Sequence, residues 1–78
     1  MDSRGLAMQF KRFRLRRLVD VTGVSGEGIV TEGVQFRDGT CVMRWLALPY
    51  QSTCIYANAT ELIKIHGHDG NTVLEWVD

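Results

Sequence analysis

The sequence predicts a mainly β fold of small α+β type: an SH3-like barrel of five strands with one short helix before the last, in the order β-β-β-β-α-β. Three observations predict it. Apolar and polar residues alternate at period two along several short runs, as they do on strands with one wet face. Glycine punctuates the chain while proline is nearly absent, with eight glycines and one proline in 78 residues. One stretch, residues 58–67, breaks the alternation and carries helix signals at both ends. A helical turn before the closing strand is the layout of many SH3-like barrels. The competing arrangement of the same elements is an open antiparallel sheet with the helix packed across one face.

Each element follows from its residues. Residues 1–9 carry no period and are read as a flexible lead, leaving 10–78 as a single domain. In "KRFRLRR", residues 11–17, Phe13 and Leu15 fall on one side and Arg12, Arg14 and Arg16 on the other. Arg17 then lands on the apolar side, which predicts a bulge or the strand end near it. "GVSGEG", 23–28, is a loop whose glycines supply close backbone approach. In "IVTEGVQF" the spacing puts Val30, Val34 and Phe36 on one side, and Gly33 marks a bulge or bend. "RDGT", 37–40, reads as a type I′ hairpin in which Phe36 faces Cys41 and Val34 faces Met43. The third strand then buries Cys41, Met43 and Trp45 and turns Val42 and Arg44 outward.

A connector, 47–52, holds Pro49 and Tyr50, and 53–57 forms a fourth strand. Asn58 is the N-cap of the helix, Glu61 completes a capping box, and Gly67 is expected in the left-handed position at its end. Ala59, Leu62, Ile63 and His66 share one helical face. "HDGN" turns the chain, and the last strand places Leu74 and Trp76 in the core.

Size and charge restrict function. A chain of this length buries about 60% of its unfolded surface, a core too small to hold a rigid catalytic pocket readily. The expectation is a non-enzyme without a cofactor. No apolar run resembles a signal peptide or a membrane span, and two cysteines make no disulfide framework, so a cytoplasmic protein with reduced thiols is expected. The formal charge is zero but polarised. Residues 1–17 set Arg4, Lys11, Arg12, Arg14, Arg16 and Arg17 against Asp2. Residues 18–78 set Arg37, Arg44 and Lys64 against eight acids. Such polarity can be neutralised within the fold, across two copies, or by separate partners.

Four groups of residues invite a chemical reading. Arg12, Arg14 and Arg16 could contact phosphates, giving salt-dependent nucleic-acid binding. No outward aromatic interleaves them as a base-stacking platform requires, and they equally suit a guarded strand or partners for the acidic remainder. His66 and His68 are weak metal candidates, because the ligand set is incomplete. Cys41 or Cys54 beside a histidine could be a nucleophile, but an inward Cys41 behaves as a small hydrophobe. "GVSGEG" lacks the spacing of a phosphate loop and is followed by a strand. Glu27 and Glu32 border it as an acidic rim. Tyr50, beside Pro49 in a connector, is the aromatic most suited to a protein interface.

The stretches "DVTGVSGEGIVTEGVQFRDGTCVMRW" and "IHGHDGNTVLEWVD" resemble a group of small proteins without assigned activity, encoded by actinobacteria and their phages. The shared signature is a GVSGxG loop, an EGVxFxDG hairpin, an RW pair and a closing IHGHxGxT with a later tryptophan. The resemblance implies a compact accessory protein that acts by binding. The expected function is therefore a non-catalytic protein-interaction module that modulates a host complex through Tyr50, Glu32 and Arg44. Homodimerisation through a strand edge is a further expectation. Nucleic-acid binding through the first strand is the alternative, and no membrane partner is expected.

Overall fold

The computed structural model describes residues 10–19, 27–47, 49 and 51–78. Five strands, β1 (Lys11–Arg17), β2 (Gly28–Gln35), β3 (Cys41–Trp45), β4 (Thr53–Tyr56) and β5 (Thr72–Trp76), form one antiparallel sheet. The helix α1 (Ala59–His66) precedes β5. The spatial order is β4-β3-β2-β1-β5. The element order matches the expectation from sequence, but the SH3-like closure is not formed. β4 and β5 do not pair, so the sheet keeps two edges where a barrel has none. The connection between those strands is the helix, and α1 contacts both of them. It covers the inner face of the sheet instead of letting the edges meet. The result is two layers, helix on sheet, with the other sheet face, here called the open face, left uncovered by the described residues.

The core lies between the layers. Phe13, Leu15, Val30, Cys41, Met43 and Leu62 are buried, with Trp45, Tyr56, Ala59, Ile63 and Leu74 packed around them. Alternation in β1 holds: Phe13, Leu15 and Arg17 turn inward, and Arg12, Arg14 and Arg16 lie on the open side. The register breaks at Leu15/Arg16, where β2 supplies one residue too many: Leu15 pairs Thr31 and Arg16 pairs Ile29. The extra residue, Val30, lets both Val30 and Thr31 point into the core. Thr31 Oγ1 accepts the Leu15 N–H at 3.2 Å. β1 ends at Arg17 as expected, yet that side chain stays inside, its Nε donating to Thr72 Oγ1 at 3.0 Å.

The hairpin between β2 and β3 corrects the predicted type I′ turn. Phe36 N–H donates to Thr40 O at 2.8 Å and Gly39 N–H to Phe36 O at 2.9 Å. Gly39 has φ +95°, and Asp38 Oδ1 accepts the Thr40 N–H. This is a three-residue loop, a turn closed by a left-handed glycine, not a two-residue one. The register moves by one: Gln35 pairs Cys41, Val34 pairs Val42 and Gly33 pairs Met43. One step reverses every side chain, so Val34 and Phe36 leave the core for the open face. Gly33 turns inward instead and makes no bulge of its own. A Cβ there would stand 2.5 Å from the Phe13 ring and 2.6 Å from Val42 O. The missing side chain is the space the ring occupies.

Helix α1 begins as predicted, Asn58 Oδ1 accepting the Glu61 N–H at 2.8 Å. Its end differs. Gly67 is right-handed at φ −72°, and the left-handed positions fall on His68, Asp69 and Gly70. Gly67 is required for space, since a Cβ would meet Ile63 O at 2.6 Å. Trp76, expected in the core, is 41% exposed. It stands edge-on to Phe13 at 5.8 Å, beneath the Lys11 ammonium at 4.1 Å. Its place on the edge strand leaves one side without a neighbour in the sheet.

Candidate functional site

The open sheet face carries the arrangement best suited to recognition. Cross-strand pairing lines up Glu75, Arg14, Glu32, Arg44 and Thr53 as one row across all five strands. The charges alternate along it: minus, plus, minus, plus. The adjacent row runs Arg12, Val34, Val42 and Ile55. Val77 extends it, its N–H donating to Arg12 O at 2.9 Å. On the other side Ile29 pairs Arg16. A shallow depression of about 670 Å³ lies over this face, floored by Val34, Val42 and Phe36 and bordered by Arg14, Glu32 and Arg44. Phe36 is 48% exposed, Val77 50% and Ile55 72%. An apolar strip beside a charge ladder is unusual for a surface meant only for water.

The arginines of β1 are engaged. Arg14 Nε and Arg16 Nε each donate to one oxygen of Glu75, both at 2.9 Å. Arg12 holds Asp78 through its Nε at 3.0 Å and its backbone N–H at 2.8 Å. The hydrogen bonds from Arg16 and then Arg14 hold the Glu75 carboxyl below its ordinary range. Those from the Arg12 side chain and backbone bring Asp78 down to about 2. Asp78 in turn raises Arg12. These pairs are exposed, so they add little stability; they fix where the charges sit. Arg44 Nη1 donates to Thr53 Oγ1 at 3.0 Å. Among the described residues no cation lies within ion-pair distance of the Glu32 carboxylate. Among the described residues four arginines and three acids thus share the face, nearly balanced.

Glu32 and Arg44, singled out from sequence, are cross-strand neighbours here, and Arg12, Arg14 and Arg16 share their face. Tyr50 and residues 23–26 of the glycine loop lie outside the described residues. Sequence reasoning missed Val34 and Phe36 as surface residues. Asp38-Gly39 suits both loop lengths, so no local signal separated them.

A second cluster closes one end of the inner face. The Tyr56 hydroxyl and His66 Nε2 are hydrogen-bonded at 2.6 Å, and the His66 ring stands edge-on to Trp45 at 5.1 Å. The Arg17 guanidinium lies 5.7 Å from the same Trp45 ring. Burial, then His68 and Arg17, lower the His66 pKa. Burial, assisted by Cys54, pushes Tyr56 up to about 12. A neutral imidazole accepting from a protonated phenol satisfies both. Burial also raises the Cys41 thiol, the reverse of what an activated nucleophile needs. Among the described residues no group of three or more His, Cys, Asp and Glu side chains is placed to hold a metal ion, and no helix is long and apolar enough to cross a membrane.

Fold and face together define a small two-layer α+β protein whose sheet offers a patterned, solvent-facing surface. Residues 10–78 match the model of the Acb5 phage protein family, and the chain belongs to that family. This agrees with the phage association that the motifs implied. No curated protein and no solved structure matches the chain.

Proposed function

We propose that this phage protein is a non-catalytic interaction module that binds a protein through the open face of its sheet. The observation supporting the reading is the apolar patch of Val34, Phe36 and Val42, with Val77 across Arg12 from it, beside the Glu75–Arg14–Glu32–Arg44 ladder. Apolar area supplies affinity, and fixed charges of alternating sign select one partner and reject others. A polyanion would favour a face of one sign. Here Glu75 and Asp78 already engage the three arginines of β1, which weighs against nucleic acid. The motif group directs the search for a host partner to actinobacteria.

The test is affinity capture from lysate of the phage's host with wild type and with Phe36→Ser and Arg44→Glu variants. Loss of the same captured protein with both variants is the expected result. Salt titration of DNA and RNA binding is the companion measurement. Affinity that falls steeply with salt and vanishes in an Arg12/Arg14/Arg16→Glu variant would replace this reading with nucleic-acid binding.

A further inference from the structure

We infer that the open sheet face docks on the same face of a second copy of this chain, around a two-fold axis running along the strands between β1 and β2. The inference rests on the protein-binding reading above and names the occupant. The argument is the order of charges. Along the central row the sequence is Glu75, Arg14, Glu32, Arg44, on β5, β1, β2 and β3. A two-fold between Arg14 and Glu32, parallel to the strands, carries each position to its mirror place in the row. Arg14 then meets Glu32 of the second copy, and Arg44 meets its Glu75. All four contacts join opposite charges. A two-fold along the row would instead set each residue against itself, like charge on like. The pattern therefore selects one isologous arrangement and excludes the other.

The remaining chemistry is compatible with it. The available groups are the right ones: the Glu32 carboxylate has no cation within ion-pair distance among the described residues, and Arg14 uses its Nε for Glu75, leaving its terminal nitrogens. In the neighbouring row the same axis brings Val42 of one copy over Val77 of the other, covering a residue that is 50% exposed, and sets Arg12, whose guanidinium Asp78 already holds, against Val34. The two sheets would pack with their strands nearly aligned, the usual arrangement of facing sheets. Ile55, on β4, falls beyond the overlap. Four overlapping strands give a patch of about 19 Å by 17 Å, small beside the roughly 800 Å² per partner of a standard interface. The dimer is accordingly a weak one, formed and lost over the micromolar range.

Sedimentation equilibrium from low to high micromolar protein tests this with a charge swap. Arg14→Glu makes the centre of the row acidic, and Glu32→Arg makes it basic. Each variant alone is expected to raise the dimer dissociation constant on the order of 10- to 100-fold, since each reversal acts twice in the dimer. Mixing the two is expected to restore association, because every central contact again joins opposite signs. Val77→Asp, an exposed change that leaves the fold intact, is expected to weaken the dimer, and Ile55→Asp to leave it unchanged. A wild-type monomer throughout, a mixture that does not associate, or a Val77→Asp dimer of undiminished affinity would each overturn the inference. If the protein is monomeric but Phe36→Ser and Arg44→Glu still abolish capture of a host protein, the inference falls and the protein-binding reading stands. If those variants change neither self-association nor capture, both fall.

Discussion

Gly33 shows how much a single residue decides. The Phe13 ring, 1% exposed, lies across it from the adjacent strand. Gly33→Ala would push a methyl into that ring and into the Val42 carbonyl, which is backbone and cannot swing aside. A loss of about 1–3 kcal/mol is expected, as for other overpacked cores, measured by urea unfolding with unchanged m-value. His66 makes the second residue-level prediction. Its folded pKa lies below the ordinary 6.5 because burial disfavours the imidazolium. The unfolded chain therefore binds the proton first. This contribution is fully present above about pH 6.5 and is lost as pH falls below it. Stability of the wild type should decline as pH falls below about 6.5, and His66→Gln should flatten that part of the profile.

At the level of elements, the caps and turns set the geometry on which the open face depends. Asn58 ties the first turn of α1 through Glu61 N–H, and Asn58→Ala is expected to cost about 1 kcal/mol. Thermal unfolding checks it. The hairpin loop matters more, because it fixes which side of β2 is wet. Gly39 at φ +95° closes the three-residue turn, and Gly39→Val forces a β-branched residue into a conformation it avoids. We expect destabilisation of about 1–2 kcal/mol. The two-residue loop offers no escape, since it too needs positive φ at residue 39, so the register of β2 and β3 is expected to hold while stability falls. Wild-type stability of Gly39→Val in urea unfolding would show that the left-handed glycine is not required.

For the whole molecule, the positive charge on the outer side of β1 is met from within. The basic first strand lies beside the acidic last one, and Arg12, Arg14 and Arg16 hold Asp78 and Glu75. Asp78, lowered from its ordinary 3.8 to about 2, supports the fold above about pH 4 and ceases to do so as pH falls toward 2. Stability is therefore expected to decline in two windows, one below about pH 6.5 from His66 and a smaller one below about pH 4 from the exposed carboxylates. Asp78→Asn should remove part of the second and leave the first. A single acid transition unaffected by either substitution would contradict this account.

Much of the molecule was legible in the chain. Period two in 11–17 assigned the inner and outer faces of β1, and Asn58 with Glu61 placed the start of α1. Cys41 and Met43 were correctly turned inward, and Val42 and Arg44 outward. These are local matters, settled by side-chain alternation and by hydrogen bonds a few residues apart. Three others were not local. Whether the sheet closes depends on α1 standing between β4 and β5, which no spacing encodes. The face shown by Val34 and Phe36 depends on one residue of loop length, since Asp38-Gly39 suits two turn types and only pairing across the hairpin selects one. The partners of the arginines lie some sixty positions away, at Glu75 and Asp78. Composition announced the opposite charges; only the pairing of β1 with β5 brought them together, because that contact is a property of the folded sheet and not of any segment within it.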